Sequence, residues 1–238
     1  MVFARNIDGQ ELTFGVSGKL IMNAVVMYDH QTDTLWSQFL MEGVQGPLMG
    51  TTMELLPAQL TTWEAWVQQH PDTLALDKRG LRGSSGRDPY DSYYASGLAG
   101  ILGESNPDGC PGGKEFVVGL DNRRVQRAYP FRYLSDTPVL NDSYDGTPIV
   151  VTFDLAGYAT AVFSREVGGR TLTFDALDDR QAGQPLMRDQ ETGTTWERLT
   201  GAALTGELQG DALTQVPSFQ NFWFSWTDFH HGTELYEP

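Results

Sequence analysis

Cysteine is nearly missing from this chain. Cys110 is the one thiol, which excludes an internal disulfide framework and any thiolate zinc cage built from this polypeptide alone. Cys110 stands in SNPDGCPGGKE, whose glycines and prolines mark a loop, so it reads as a loop thiol before it reads as a nucleophile. Lysine is scarce as well: three lysines are found among 16 basic residues, against 31 acidic ones. The resulting formal charge of −15 repels a phosphate backbone, so the sequence predicts no nucleic-acid partner. No apolar run approaches the ~18 residues of a membrane span. Met1 is followed closely by Arg5 and Asp8, so no signal peptide is visible. An acidic, lysine-poor surface suits an extracytoplasmic or salty setting. The expectation is therefore an extracytoplasmic protein if a leader precedes Met1, and a cytoplasmic one otherwise.

What is present points to strands. Hydrophobic residues make up 40% of the chain, enough to bury a real core. The 26 glycines and 12 prolines punctuate short Val, Thr, Tyr and Phe clusters, the mark of many turns and short strands.

The chain also repeats itself. At an offset of 160, residues 2–76 align with 162–236 without a gap, and 20 of the 75 pairs are identical, several times what chance would give. VFARNIDGQELTF falls on VFSREVGGRTLTF, and TTWEAWVQQHPDTLAL on NFWFSWTDFHHGTELY. In the last pair Trp63 meets Trp223, Trp66 meets Trp226 and His70 meets His230, a spacing that marks one face of a helix. Recurrence in both copies assigns these six residues, with Trp36 and Trp196, to packing rather than to chemistry. His231 faces Pro71 in the other copy, so the His230–His231 pair is not read as a metal site. Each copy reads as a meander with one helix: a hairpin such as that around Gly168–Gly169, two further strands, a helical segment opened by Pro57 or Pro217, and a closing strand at LALD or ELYEP.

Between the copies, residues 77–115 begin with RGLRGSSGRDPYDSYYASG, a long connecting loop by composition. EFVVGL and RVQRAYP then form a hairpin around Asp121–Asn122, and VLNDSYDGTPIVVTFD a second one turned at Tyr144-Asp145-Gly146. The first copy has no counterpart of residues 116–161. An uncovered strand edge is a liability, so either the chain is truncated or a partner chain or homo-oligomer covers that edge.

Shared residues of a duplicated fold mostly serve folding, so polar residues confined to one copy are the better ligand candidates. On that ground Ser17, Lys19, Asn23, Tyr28, Ser37 and Gln38 are selected ahead of Asp29 and Trp36, which recur as Asp189 and Trp196. Arg87, Asp88 and Tyr90, in GRDPY, read as a lid or as an ordered loop, and Arg87 and Tyr90 join the ligand candidates. GVSGK, Gly15 to Lys19, has Thr13 and Leu20 where a phosphate loop needs Gly and Ser or Thr, and Lys19 where a nucleophile elbow needs Gly. It reads as a tight turn, or as an anion-binding loop formed by Ser17, Lys19 and backbone N–H groups. Asn141, Asp142 and Asp145 lack calcium-loop spacing and read as a turn. His30 and His231 are the two histidines outside the repeated helix face, too few for a three-histidine metal site. No metal ligand and no catalytic residue is assigned.

At FGVSGKLIMNAVVMYDHQTDTLWSQ, AYPFRYL, VLNDSYDGTPIVVTF and NFWFSWTDFHHGT the chain resembles the domain of unknown function 3179 family of bacteria and archaea, over nearly its whole length. The resemblance implies no defined mechanism and, in many members, an export signal. Members typically carry Cys-Pro-Leu-Cys just before the segment aligned with Met1-Val2-Phe3. This chain lacks that run, and its second copy has Phe153-Asp154-Leu155-Ala156-Gly157 at the corresponding place. Beside the family the chain reads as truncated at its N-terminus, and the resemblance carries no dithiol chemistry onto its residues.

The expected fold is α+β and predominantly β: two pseudo-symmetric meander-plus-helix repeats packed into one body, residues 1–76 and 116–238, joined by the 77–115 loop. The expected function is that of an extracytoplasmic small-molecule-binding module or enzyme with its pocket between the repeats. The alternatives are a redox or metal protein whose dithiol is absent from this chain, and a structural or protein-interaction domain.

Overall fold

A computed structural model describes residues 1–75, 90–106, 114–181 and 183–238. Among these residues strands dominate, none longer than eight residues, with four short helices. The helices are α1 (Trp63–Gln69), α2 (Asp91–Ala95), α3 (Phe131–Asp136) and α4 (Trp223–Phe229). The protein is α+β and predominantly β, as its turn-rich composition predicts.

Strands Phe174–Gln181, Gln184–Asp189, Thr195–Glu197 and Ala203–Thr205 form an antiparallel sheet in chain order, and so do Phe14–Ile21, Ala24–Asp29, Leu35–Ser37 and Glu42–Gln45. A shared local network explains why both sequences make this meander. Asp189 accepts from Thr192 N at 2.6 Å, from the Thr192 hydroxyl and, at 2.8 Å, from the indole Nε1 of Trp196. Asp29 accepts in the same way from Thr32 N at 2.5 Å and from Trp36 Nε1 at 2.9 Å. Each aspartate closes the turn and anchors the tryptophan, and both indoles are fully buried.

Residues 116–164 build the rest of the core. Strands Phe116–Asp121 and Gln126–Pro130 form the hairpin expected there, and Val139–Tyr144, Thr147–Asp154 and Ala159–Ser164 form a three-stranded sheet turned at Asp145–Gly146. The near-continuous apolar run of Thr147–Asp154 is buried from Ile149 onward, because packing covers both of its faces. Phe219–Phe222 adds antiparallel to one edge of the 116–130 hairpin, and Glu234–Leu235 adds parallel to the other. α4 lies on this sheet with Trp226 against Gly119, where an added Cβ would come 2.2 Å from the indole, so only glycine admits the ring.

The first copy departs from expectation here. α1 has no buried residue, whereas α4 buries five. Trp63, expected to fill an interior, is 57% exposed, Trp66 is half-buried and His70 is exposed. Residues 59–62 and 74–75, the counterparts of Phe219–Phe222 and Glu234–Leu235, are not strands. The cause is the partner: the 116–130 hairpin is already paired with the second copy, and a strand without a neighbour cannot satisfy its backbone groups. The helices also start later than Pro57 and Pro217 suggest, with Phe219–Phe222 preceding α4 as a strand. Phe39 supplies the tie across: its ring stacks on Phe229 at 4.7 Å and meets Phe219 edge-on at 5.7 Å, inside a cluster with Val117, Trp223 and Trp226.

GVSGK is neither a tight turn nor a loop. It lies inside strand Phe14–Ile21, where the register shifts between Val16 and Lys19. Ser17 fills the bulge, its hydroxyl donating to Val26 O at 2.5 Å and accepting from Lys19 N at 3.1 Å. Within the expected connecting loop, Asp91–Ala95 is helical. Arg87 and Cys110 lie outside the described residues. Among the described residues no helix is long and apolar enough to cross a membrane.

A polar and aromatic cleft as candidate functional site

α1 is pinned at its start. Thr62 caps it, accepting from Ala65 N at 3.2 Å, and the backbone N–H of Thr62 and the hydroxyl of Thr61 both donate to Gly157 O at 3.2 Å. A Cβ at Gly157 would sit 2.9 Å from Thr61 Oγ1 and 3.1 Å from Ala65 Cβ, so glycine is what lets the helix approach. The approach leaves a polar cavity of about 150 Å³, with Thr62, Glu64, Gln68 and Gln69 on one wall and Asp154, Arg180 and Gln184 among the residues opposite.

Asp154 ends strand Thr147–Asp154 with its side chain only 6% exposed, ion-paired with Arg180 and accepting from Gly157 N at 3.3 Å. Arg180 follows the register shift after Leu177 and also donates to Gly183 O at 2.7 Å. The pair keeps a buried carboxylate from standing uncompensated. Behind it Arg198 is 6% exposed and donates to Phe153 O at 3.2 Å, Leu177 O at 3.1 Å and Leu186 O at 2.9 Å, while its Nε is buried without a partner. Burial pushes the Arg198 guanidinium below its ordinary pKa, and Asp154 opposes that shift.

At Thr62 the polar cavity meets a second one of about 290 Å³, walled by Leu60, Tyr94, Phe116, Phe131 and Tyr158, with Gln220 at its edge. Its aromatics form a continuous surface: Phe116 lies 5.8 Å from Phe131, and Phe131 lies 6.3 Å from Tyr158. In the other direction, Gln68, Gln69 and Gln184 also line a third cavity of about 220 Å³, with Gln181, Glu197 and Leu204. The three form a row along α1.

The sequence-selected ligand residues are not in this row. Ser17 and Lys19 make the bulge already described. Asn23 holds the chain beyond α2, donating to Gly103 O at 2.8 Å and accepting from Leu102 N at 2.7 Å. Tyr28 packs edge-on against His30 at 4.9 Å. Ser37 is buried and accepts from Leu40 N at 3.2 Å, and Gln38 is half-buried with its N–H donating to Val25 O. Tyr90 is the exposed N-cap residue of α2. Arg180 in the cleft and Arg198 behind it carry a sequence signal of their own: they stand where the first copy has Leu20 and Gln38, so they too are polar residues confined to one copy.

His230 is buried, unlike its counterpart His70, and lies tilted on Trp226 at 4.0 Å, with Nδ1 3.9 Å from Asp121 Oδ2. Burial lowers its pKa, with Asp121 opposing. Among the described residues no group of three or more His, Cys, Asp or Glu side chains is placed to hold a metal ion.

Fold and cleft together define a β-rich α+β protein with an open groove, polar in its middle and aromatic at one end. The chain matches the family described as Protein of unknown function (DUF3179) over residues 1–233, and it belongs to that family. No curated protein and no solved structure matches it.

Proposed function

We propose that the protein is a small-molecule-binding module in which two repeat units, residues 1–76 and 116–238, meet along a seam and hold the ligand there. The observation that carries this reading is the buried Asp154 carboxylate, paired with Arg180 at the wall of a cavity whose other wall is α1. Paired charge set into a concave seam beside an aromatic surface is what orients a ligand, and costs stability where nothing binds. No catalytic step is assigned to these groups. Soaking crystals with a fragment library tests the reading: fragments gather along α1 between Thr62 and Gln184. Fragments that gather instead at Ser17 and Lys19, and never in the seam, overturn it.

One observation favours a second reading, an interaction domain. Leu60 is 60% exposed and Trp63, the first residue of α1, 57%, whereas the counterpart helix α4 buries five of its seven residues. Sedimentation of the purified chain separates the two: self-association lost in Trp63→Glu supports this reading, and a monomer at all concentrations removes a second copy as the cover.

A further inference from the structure

We propose that the ligand of the seam is an uncharged oligosaccharide lying along α1, with one sugar face on the aromatic wall; this rests on the seam being the binding site. Three features of the groove select that chemistry. The first is its hydrogen-bonding character. Gln68, Gln69, Gln181 and Gln184 line the middle and far cavities, and each amide both donates and accepts, as a row of sugar hydroxyls does.

The second is charge. Among the described residues of the lining, Glu64, Asp154 and Glu197 stand against a single guanidinium, and Arg180 is already engaged with Asp154 and Gly183 O, so a phosphate or carboxylate ligand meets repulsion there and no free cation among those residues. Asp154 itself offers little to a cation, since its oxygens accept from Arg180 and Gly157 N, and Glu64 and Glu197 are the carboxylates that the choline control tests. The third is shape. The cavities form a chain of compartments open to solvent, joined at Thr62 and at Gln68, Gln69 and Gln184, which suits a linear chain of similar units better than one compact molecule. At the aromatic end the ring of Tyr158, 56% exposed, offers a face on which the apolar face of a pyranose packs, while Phe131, which lines the same cavity, is itself buried.

Isothermal titration of the full chain with cellotetraose, maltotetraose and chitotetraose tests this, with tetragalacturonate and choline chloride as charged controls. At least one neutral tetrasaccharide binds saturably, and both Gln68→Ala and Tyr158→Ala weaken it at least tenfold with unchanged unfolding midpoints. Either substitution sits at an exposed position, so a lost fold is separable from a lost contact. Tighter binding of tetragalacturonate or choline overturns the proposal, as does no saccharide binding at millimolar concentration. If fragments still gather in the seam while no saccharide binds, the saccharide inference fails alone. If a saccharide binds equally well to wild type and both variants, the seam reading fails with it.

Discussion

Trp63 and Trp223 stand 160 residues apart at matched positions, each the first residue of its helix, yet Trp63 is 57% exposed and Trp223 only 3%. The sequence around them is similar; what differs is the 116–130 hairpin, which covers one helix and not the other. Trp223→Ala removes a buried ring and is expected to cost about 3–5 kcal/mol. Trp63→Ala is expected to stay within about 0.5 kcal/mol. Urea unfolding of both variants checks the contrast.

Gly119 offers a sharper probe of that covering sheet. A methyl group there would lie 2.2 Å from the Trp226 ring, which itself is fully buried and has nowhere to retreat. Gly119→Ala is expected to destabilise by roughly 1–3 kcal/mol and to lower the thermal midpoint, with the loss seen in Trp226 fluorescence.

The aspartates at the meander turns set an acid limit. Burial alone would raise the pKa of Asp189, but hydrogen bonds from Trp196 and Thr192 outweigh it and hold it below the ordinary aspartate value; Asp29 is held down in the same way by Trp36, Thr32 and Gln31. A carboxylate with a lowered folded pKa contributes stability that is complete above its unfolded pKa and is lost as pH falls through the folded one. Stability of the wild type is therefore expected to fall below about pH 4. Asp189→Asn is expected to be about 1–3 kcal/mol less stable at neutral pH and to show a flatter acid limb. Unfolding free energies measured from pH 2 to 7 check both.

Arg198 is the most committed side chain behind the cleft. Replacing it with Gln, the residue its counterpart Gln38 carries, leaves the carbonyls of Phe153, Leu177 and Leu186 without their donor. Arg198→Gln is expected to cost about 2 kcal/mol or more by chemical denaturation.

Much of the fold was legible in the sequence because its determinants are local. The Asp-Thr-Trp networks, the Gly168–Gly169 hairpin and the turn at Asp145–Gly146 are written within a few residues of themselves. Coverage of α1 was not legible, since it depends on a hairpin far along the chain that pairs with only one copy. Ser17 reads as a ligand residue in sequence because a bulge uses the same small polar residues that a binding loop does. The cleft joins Gln68 to Arg180 across more than a hundred residues, and no pattern in either segment announces the other. Arg180 and Arg198 are marked by their difference from Leu20 and Gln38 of the first copy, whereas nothing of that kind marks the α1 wall of the cleft.

The seam is tested most directly by filling it. Gln68 is exposed on α1 and lines both the polar and the glutamine-rich cavity, so Gln68→Trp puts an indole into the groove without touching the core. Saturation-transfer NMR with fragments that bind the wild type is predicted to lose its signals in Gln68→Trp while the unfolding midpoint holds. Full signals from a well-folded Gln68→Trp would contradict the account.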